Sequence, residues 1–278
     1  MVYKRIHLKD RFGFLGEDGR DPSVEIYLPY NMTEMHREHS KRPCLVVCPG
    51  GGYSMCSQRE SEPIALHFLP DGFNVFVITY SVAPHRFPVQ LREVAALTEL
   101  IYENADEWNC DISKIAILGF SAGGHLAASY STMYDCKEVR EVFPESKGVN
   151  ASVLCYPVIS SDPDFWHCGS FENLTGRHFD TAEEGAYYSC EKQVDKNTPP
   201  TFLWHTAEDG AVPVMNTLVY AEALARNKVP FEVHIYPFGG HGLSTCDKMT
   251  LDNVDSNIEY DSFWLPNARR WLKLILSL

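Results

Sequence analysis

The sequence predicts an α/β fold, with a mostly parallel central sheet of about eight strands and helices on both faces. Three observations lead there. From residue 44 onward, short apolar runs alternate with segments of helical spacing, the pattern left by a parallel sheet covered on both sides. Those runs are rich in β-branched and aromatic residues and end at glycine or proline. The length of 278 residues suits a single α/β domain with room for a small insertion, and it is enough to bury a substantial core.

The elements follow in chain order. Ile6-His7-Leu8 and Val24 to Leu28 read as an antiparallel hairpin edge. Cys44-Leu45-Val46-Val47-Cys48 is a short buried strand stopped by Pro49 and three glycines. Ile64 to Leu69 is helical and Phe73 to Tyr80 is the next strand. Val89 to Tyr102 places Leu91, Val94, Leu97, Leu100 and Ile101 on one helix face. Ile115 to Leu118 is a central strand, His125 to Tyr134 a helix, and Ala151 to Tyr156 another strand. Thr201 to His205 and Phe231 to Tyr236 are the last strands, separated by a helix around Val214 to Arg226. The tail from Phe263 to Leu276 closes the chain as an amphipathic helix. The segment 159–199 breaks this rhythm, with no clear strand and with Phe165, Trp166, Phe171, Phe179, Tyr187 and Tyr188 among acids and glycines. A long irregular connection in a compact domain is usually functional or disordered, and this aromatic content predicts a small cap over a site.

Composition narrows the function classes. Hydrophobic residues make up 45 % and charged residues 22 %, which is ordinary for a globular protein and argues against disorder. The formal charge of −13 disfavours nucleic acid or anionic membrane as the partner and favours a neutral or cationic small molecule. The N-terminus leads into charge with no apolar run behind it, so no signal peptide is expected, and no stretch is apolar enough to span a bilayer. The nine cysteines are scattered, several inside strand-like runs, as buried thiols are in reduced compartments, so a cytoplasmic location is expected. Cys44 and Cys48 lack a second pair at metal-ligand spacing and read as core residues. Oligomeric state is not legible in the sequence.

The chemistry centres on Gly119-Phe120-Ser121-Ala122-Gly123, a G-x-S-x-G pattern that follows a predicted buried strand and opens a predicted helix. Such a pattern alone is weak, since a glycine-rich strand-to-helix turn with a serine cap would also produce it. A serine hydroxyl needs a base, and in this arrangement the chain order is nucleophile, acid, base. Asp209 and His241 stand just beyond the strands ending at His205 and Tyr236, on the same sheet edge as Ser121. Glycines flank His241, whereas His125, His205 and His234 lie within or against regular elements and read as packing or capping residues. Glu208 is the rival acid; the shorter side chain and the Gly-Ala-Val-Pro turn after it favour Asp209. Pro49-Gly50-Gly51-Gly52-Tyr53 stands where backbone N–H groups could meet an oxyanion, with the N–H of Ala122 as a further donor. No Lys-Ser/Thr follows these glycines, which argues against a phosphate loop.

Together, Pro49-Gly50-Gly51-Gly52-Tyr53, Tyr80-Ser81-Val82-Ala83-Pro84, Gly119-Phe120-Ser121-Ala122-Gly123-Gly124-His125 and Gly240-His241-Gly242 resemble the acetyl esterase and xylan esterase-like group of α/β hydrolases, relatives of the hormone-sensitive-lipase-like esterases. The resemblance covers nearly the whole chain, and Arg59-Glu60 with the helix after it also fits. It implies an α/β-hydrolase fold, oxyanion donors at Gly51, Gly52 and Ala122, and hydrolysis of short acyl esters, including acetyl groups on sugars. Pro49 replaces the histidine that many of these esterases carry before the three glycines, which argues against long acyl chains.

The expected function is therefore a carboxylic ester hydrolase acting through Ser121, His241 and Asp209 on a small ester, with no metal or organic cofactor required. Tyr53 and the aromatics of 159–199 are expected to line its acyl pocket. Amide or peptide hydrolysis on the same triad is an alternative, and a non-catalytic ligand-binding module on the same fold is another. Such modules typically lose part of the triad, and here all three members are present. Glycosidase chemistry is disfavoured because it uses a carboxylate pair.

Overall fold

The computed structural model describes all of residues 1–278. Eight strands form one sheet: β1 (Val2–His7), β2 (Ser23–Leu28), β3 (Arg42–Cys48), β4 (Asn74–Thr79), β5 (Cys110–Phe120), β6 (Ala151–Cys155), β7 (Thr201–Thr206) and β8 (Phe231–Tyr236). Their spatial order is β1-β2-β4-β3-β5-β6-β7-β8. β2 is antiparallel to both β1 and β4, and every other neighbouring pair is parallel. Nine α-helices accompany the sheet: α1 (Leu8–Arg11), α2 (Glu62–Phe68), α3 (Val89–Glu103), α4 (Ser121–Met133), α5 (Lys137–Arg140), α6 (Cys168–Thr175), α7 (Met215–Arg226), α8 (Ser256–Asp261) and α9 (Trp264–Ile275).

Alternation along the strands sends side chains to two cores. Cys44, Val46 and Cys48 of β3 join Ile115 and Ile117 of β5 on the face covered by α3, α4 and α7. Leu45 and Val47 of β3 join Ala116 and Leu118 on the opposite face, beneath α2 and α9. Both faces of these strands are buried, which is why they read as continuous apolar runs. The closing helix α9 turns Trp264, Leu265, Ala268, Trp271 and Leu272 inward, and Trp264 stacks on Trp204 of β7 with centroids 5.1 Å apart. Arg269 and Lys273 on its outer side meet the nearly buried carboxylate of Asp71. Cys44 and Cys48 are core residues, and none of the nine cysteines is paired. No helix is long and apolar enough to cross a membrane.

The 159–199 segment carries no strand. It holds α6 and short 3-10 turns at Ala186–Tyr188 and Cys190–Lys192. Phe171 and Phe179 pack with Val158 and Val212 into a small core of their own, against which Trp166 and Tyr188 lie.

The turn from β5 into α4 is tightly constrained. A Cβ on Gly123 would meet the carbonyl oxygens of Cys48 and Pro49 at 2.1 and 2.3 Å, and one on Gly119 would meet the Gly123 carbonyl oxygen at 2.2 Å. Backbone therefore touches backbone, and no side chain can yield. Gly123→Ala should cost about 3 kcal/mol or more, a fall of roughly 6–12 °C in melting temperature for a chain of this size. Gly13→Ala, where nothing stands within 4 Å of the added carbon, should shift it by about 2 °C or less in the same thermal scan.

Candidate active site

Ser121 is the last step out of β5 and the first residue of α4, and its φ is +51°. L-residues avoid this region, at a cost of about 1–3 kcal/mol. The strain turns the side chain out of the strand at the carboxyl edge of the sheet, where its hydroxyl meets the loops after β7 and β8. Ser121 Oγ donates to His241 Nε2 at 2.8 Å, and His241 Nδ1–H donates to Asp209 Oδ2 at 2.6 Å. The three residues expected to act together are thus in one hydrogen-bonded chain.

Asp209 is buried and heavily supported. Its Oδ1 accepts the N–H groups of Ala211 and Val212, both at 2.9 Å. The Nε2 of His205 lies 3.2 Å from Oδ2 and 2.9 Å from the Val212 carbonyl, while His205 Nδ1 pairs with the Thr217 hydroxyl at 2.8 Å. Burial pushes the Asp209 carboxyl up, but the bonds from His205 and His241 and the Val212 N–H prevail and hold it well below the usual carboxylate range. It is an anion at neutral pH. Glu208, the rival acid, points away and accepts the Gly239 N–H at 3.4 Å.

The glycine loop after β3 faces Ser121. Gly51 and Gly52 have φ of +128° and +63°, and neither N–H has a partner within the protein. The Gly50 N–H, by contrast, donates to Glu60 Oε2 at 2.8 Å. Glu60 is buried at 3 % exposure, and its Oε1 accepts the Tyr156 hydroxyl at 2.6 Å. Burial raises its pKa, and the bonds from Tyr156 and Gly50 oppose the rise. The Tyr156 oxygen in turn accepts the Ser244 N–H at 2.9 Å, and the Tyr156 ring meets the His241 ring edge-on at 5.1 Å between centroids. Glu60 therefore joins the glycine loop to the histidine loop through one tyrosine. Two more anchors hold the glycine loop: Tyr80 donates to the Pro49 carbonyl at 2.7 Å, and Asn173 of α6 donates to the Gly52 carbonyl at 2.9 Å.

The cleft over Ser121 is lined by Gly51, Gly52, Met55, Ser57, Arg59, Glu60, His167, His241 and Gly242. This corrects the expectation for Tyr53 and its aromatic companions. Tyr53 is 1 % exposed; its hydroxyl pairs with His125 Nδ1 at 2.8 Å and its ring packs against Tyr80. It supports the loop from below because the φ of +56° at Tyr53 turns its side chain into the core. Phe171 and Phe179 are likewise buried in the segment's own core, so no aromatic wall borders the cleft. His125 is a core residue whose pKa burial lowers to about 4.

The roles of four residues escaped the sequence. His205 looked like strand packing; a titratable side chain in an otherwise apolar strand, four residues before an acid, was the available signal. Glu60 and Tyr156 act across 96 residues, and no local pattern announces that pairing. His167 is hidden in an irregular segment with no period to read.

A family model described as BD-FAE matches residues 24–224. An acetylxylan esterase of Xylanibacter ruminicola is 32 % identical over 94 % of this chain and half of its own length. An endo-1,4-β-xylanase B of Butyrivibrio fibrisolvens is 38 % identical over 80 % of this chain and 35 % of its own. The chain thus spans between a third and a half of the length of these relatives. Among solved structures, an acetyl ester-xyloside bifunctional hydrolase from Caldicellulosiruptor lactoaceticus superposes with a TM-score of 0.83 at 34 % identity, covering 98 % of this chain and 96 % of its own. The carboxylesterase Cest-2923 from Lactobacillus plantarum reaches the same TM-score at 25 % identity, covering 98 % and 97 %. The chain belongs to the BD-FAE family of α/β-hydrolase enzymes.

Proposed function

We propose that this protein is a serine carboxylesterase that removes short acyl groups, above all acetyl, from sugars such as xylan fragments. The hydrogen-bonded chain Ser121–His241–Asp209, facing two unpartnered glycine N–H groups, carries the reading. His241 takes the Ser121 proton as Oγ attacks the ester carbonyl, and ionised Asp209 stabilises the imidazolium that forms. The N–H groups of Gly51, Gly52 and Ala122 receive the oxyanion, each such donor being worth about 3–4 kcal/mol. His241 then protonates the departing alcohol and deprotonates the water that releases the acid. His205 and the Val212 N–H keep Asp209 oriented, and the Glu60–Tyr156 pair keeps the glycine and histidine loops in register.

The polar lining of the cleft, together with the acetylxylan esterase and acetyl ester-xyloside hydrolase among the relatives, supports an acetylated sugar over a lipid. In this reading the segment 159–199 is a small cap on a single domain, with a small neutral ester as the partner and no nucleic acid. Nine unpaired cysteines suit a reducing, cytoplasmic setting.

Four outcomes are expected. A fluorophosphonate probe should label Ser121 alone, and kcat/KM for p-nitrophenyl acetate should exceed that for the octanoate by at least about 10-fold, since extra methylenes meet polar groups in place of a fitted apolar pocket. Labelling of another serine would overturn the assignment of Ser121 as nucleophile, and equal turnover of octanoate would overturn the short-acyl assignment. Asp209→Asn should lower kcat about 10⁴-fold by holding the imidazole in the wrong tautomer, whereas Glu208→Gln should stay within about threefold of the parent because it lies outside the chain; steady-state kinetics on p-nitrophenyl acetate reads both.

A further inference from the structure

Besides His241, one other imidazole borders the cleft, and it comes from the 159–199 segment. His167 caps α6: its Nδ1 accepts the Ser170 N–H at 3.2 Å and pairs with the Ser170 hydroxyl at 2.8 Å. The Ser170 N–H is shared between the His167 carbonyl at 3.0 Å and Nδ1, and with Nδ1 as acceptor the proton of the neutral ring is assigned to Nε2. Nothing in the protein accepts that Nε2–H. The ring edge that carries it faces the glycine loop, since a methyl group built on Gly52 would stand 3.9 Å from His167 Cε1. The loop and α6 are fastened to each other by the Asn173–Gly52 bond, so the imidazole has a fixed position relative to the oxyanion donors. Burial, and secondarily the nearby His241, lower its pKa, so it remains a neutral donor at neutral pH. A partly buried, oriented, unanswered donor at the mouth of a hydrolase site awaits an acceptor on the substrate.

Resting on the esterase reading above, we propose that His167 is a specificity residue whose Nε2–H binds a hydroxyl oxygen on the alcohol side of the ester, next to the acylated carbon. The acyl side offers no acceptor except the carbonyl oxygen, which the glycine N–H groups receive. The alcohol oxygen itself must stay free for the proton from His241. A neighbouring hydroxyl is the acceptor that remains, and a sugar carries one beside nearly every esterified carbon. The substrate class this selects is the partially acetylated vicinal diol.

Matched substrates isolate the effect, because 2-hydroxyethyl acetate and ethyl acetate differ by one hydroxyl. The parent enzyme should prefer the hydroxyethyl ester by about 5-fold or more in kcat/KM, the loss expected when a polar group of a site is left unpaired. His167→Ala should reduce that preference to less than about twofold, and His167→Gln, which keeps a donor, should retain most of it. Ser170→Ala, which removes a hydroxyl partner from Nδ1, should reduce the preference partway; it carries the test if the alanine variant at 167 does not fold, as judged by fluorophosphonate labelling. A parent enzyme that treats the two esters alike, or a preference undiminished in both His167→Ala and Ser170→Ala, overturns the proposal while leaving the esterase reading intact. Failure of the parent to cleave either ester would instead remove the esterase reading itself.

Discussion

The site depends on one backbone constraint, the sharp turn that lifts Ser121 off the end of β5 at φ +51°. A strand cannot enter a helix this abruptly unless the two are pressed together, and here they are pressed to backbone contact. Gly123 lies against the carbonyls of Cys48 and Pro49, and Gly119 against Gly123. Because β5 runs between β3 and β6 in the middle of the sheet, the strained serine is fixed from both sides. That position also decides where partners can come from. In a parallel sheet all strands end at the same edge, so loops after β7 and β8 arrive beside Ser121 although His241 lies 120 residues away in sequence.

Loops need their own ties, and the structure supplies these with buried polar groups. Glu60 is a carboxyl in the interior, an expensive placement unless every oxygen is answered. One oxygen takes the Gly50 N–H and the other the Tyr156 hydroxyl, whose own oxygen takes the Ser244 N–H. Removing any member would leave a buried group unanswered, so the loops that carry the glycine donors and the histidine cannot drift independently. The same logic holds at Asp209, where the carboxylate receives His205 and two N–H groups besides His241.

Much of this was legible in the sequence because local signals and global fold agree. Strands buried on both faces leave unbroken apolar runs, and five of the six parallel strands fall within two residues of where those runs place them, while β5 begins five residues before its apolar run at Ile115. Ser121, Asp209 and His241 were legible because chain order and strand ends are one-dimensional facts. What escaped depends on geometry with no sequence period. Glu60 and Tyr156 meet across the sheet edge, and the direction of the Tyr53 side chain follows from a positive φ that an aromatic residue after three glycines does not advertise. His205 was visible as a residue but not as a partner, since its contact with Asp209 requires the turn between them.

The 159–199 segment shows why an aromatic-rich insertion need not give an aromatic pocket. An insertion without a strand has no sheet to pack on, so its rings must first hold the segment itself together. Phe171 and Phe179 do so with Val158 and Val212, and Trp166 lies over them. What remains for the cleft is the residue at the start of α6, where a side chain is needed to cap the helix and can present its far edge outward. A histidine meets both demands because it has two ring nitrogens, one for the helix and one for the cleft. Phenylalanine there would leave the Ser170 N–H only the backbone carbonyl of residue 167 and the Ser170 hydroxyl without its ring partner, and would line the entrance with carbon. The polarity of the entrance is thus tied to the capping of α6 rather than to a narrow aromatic wall.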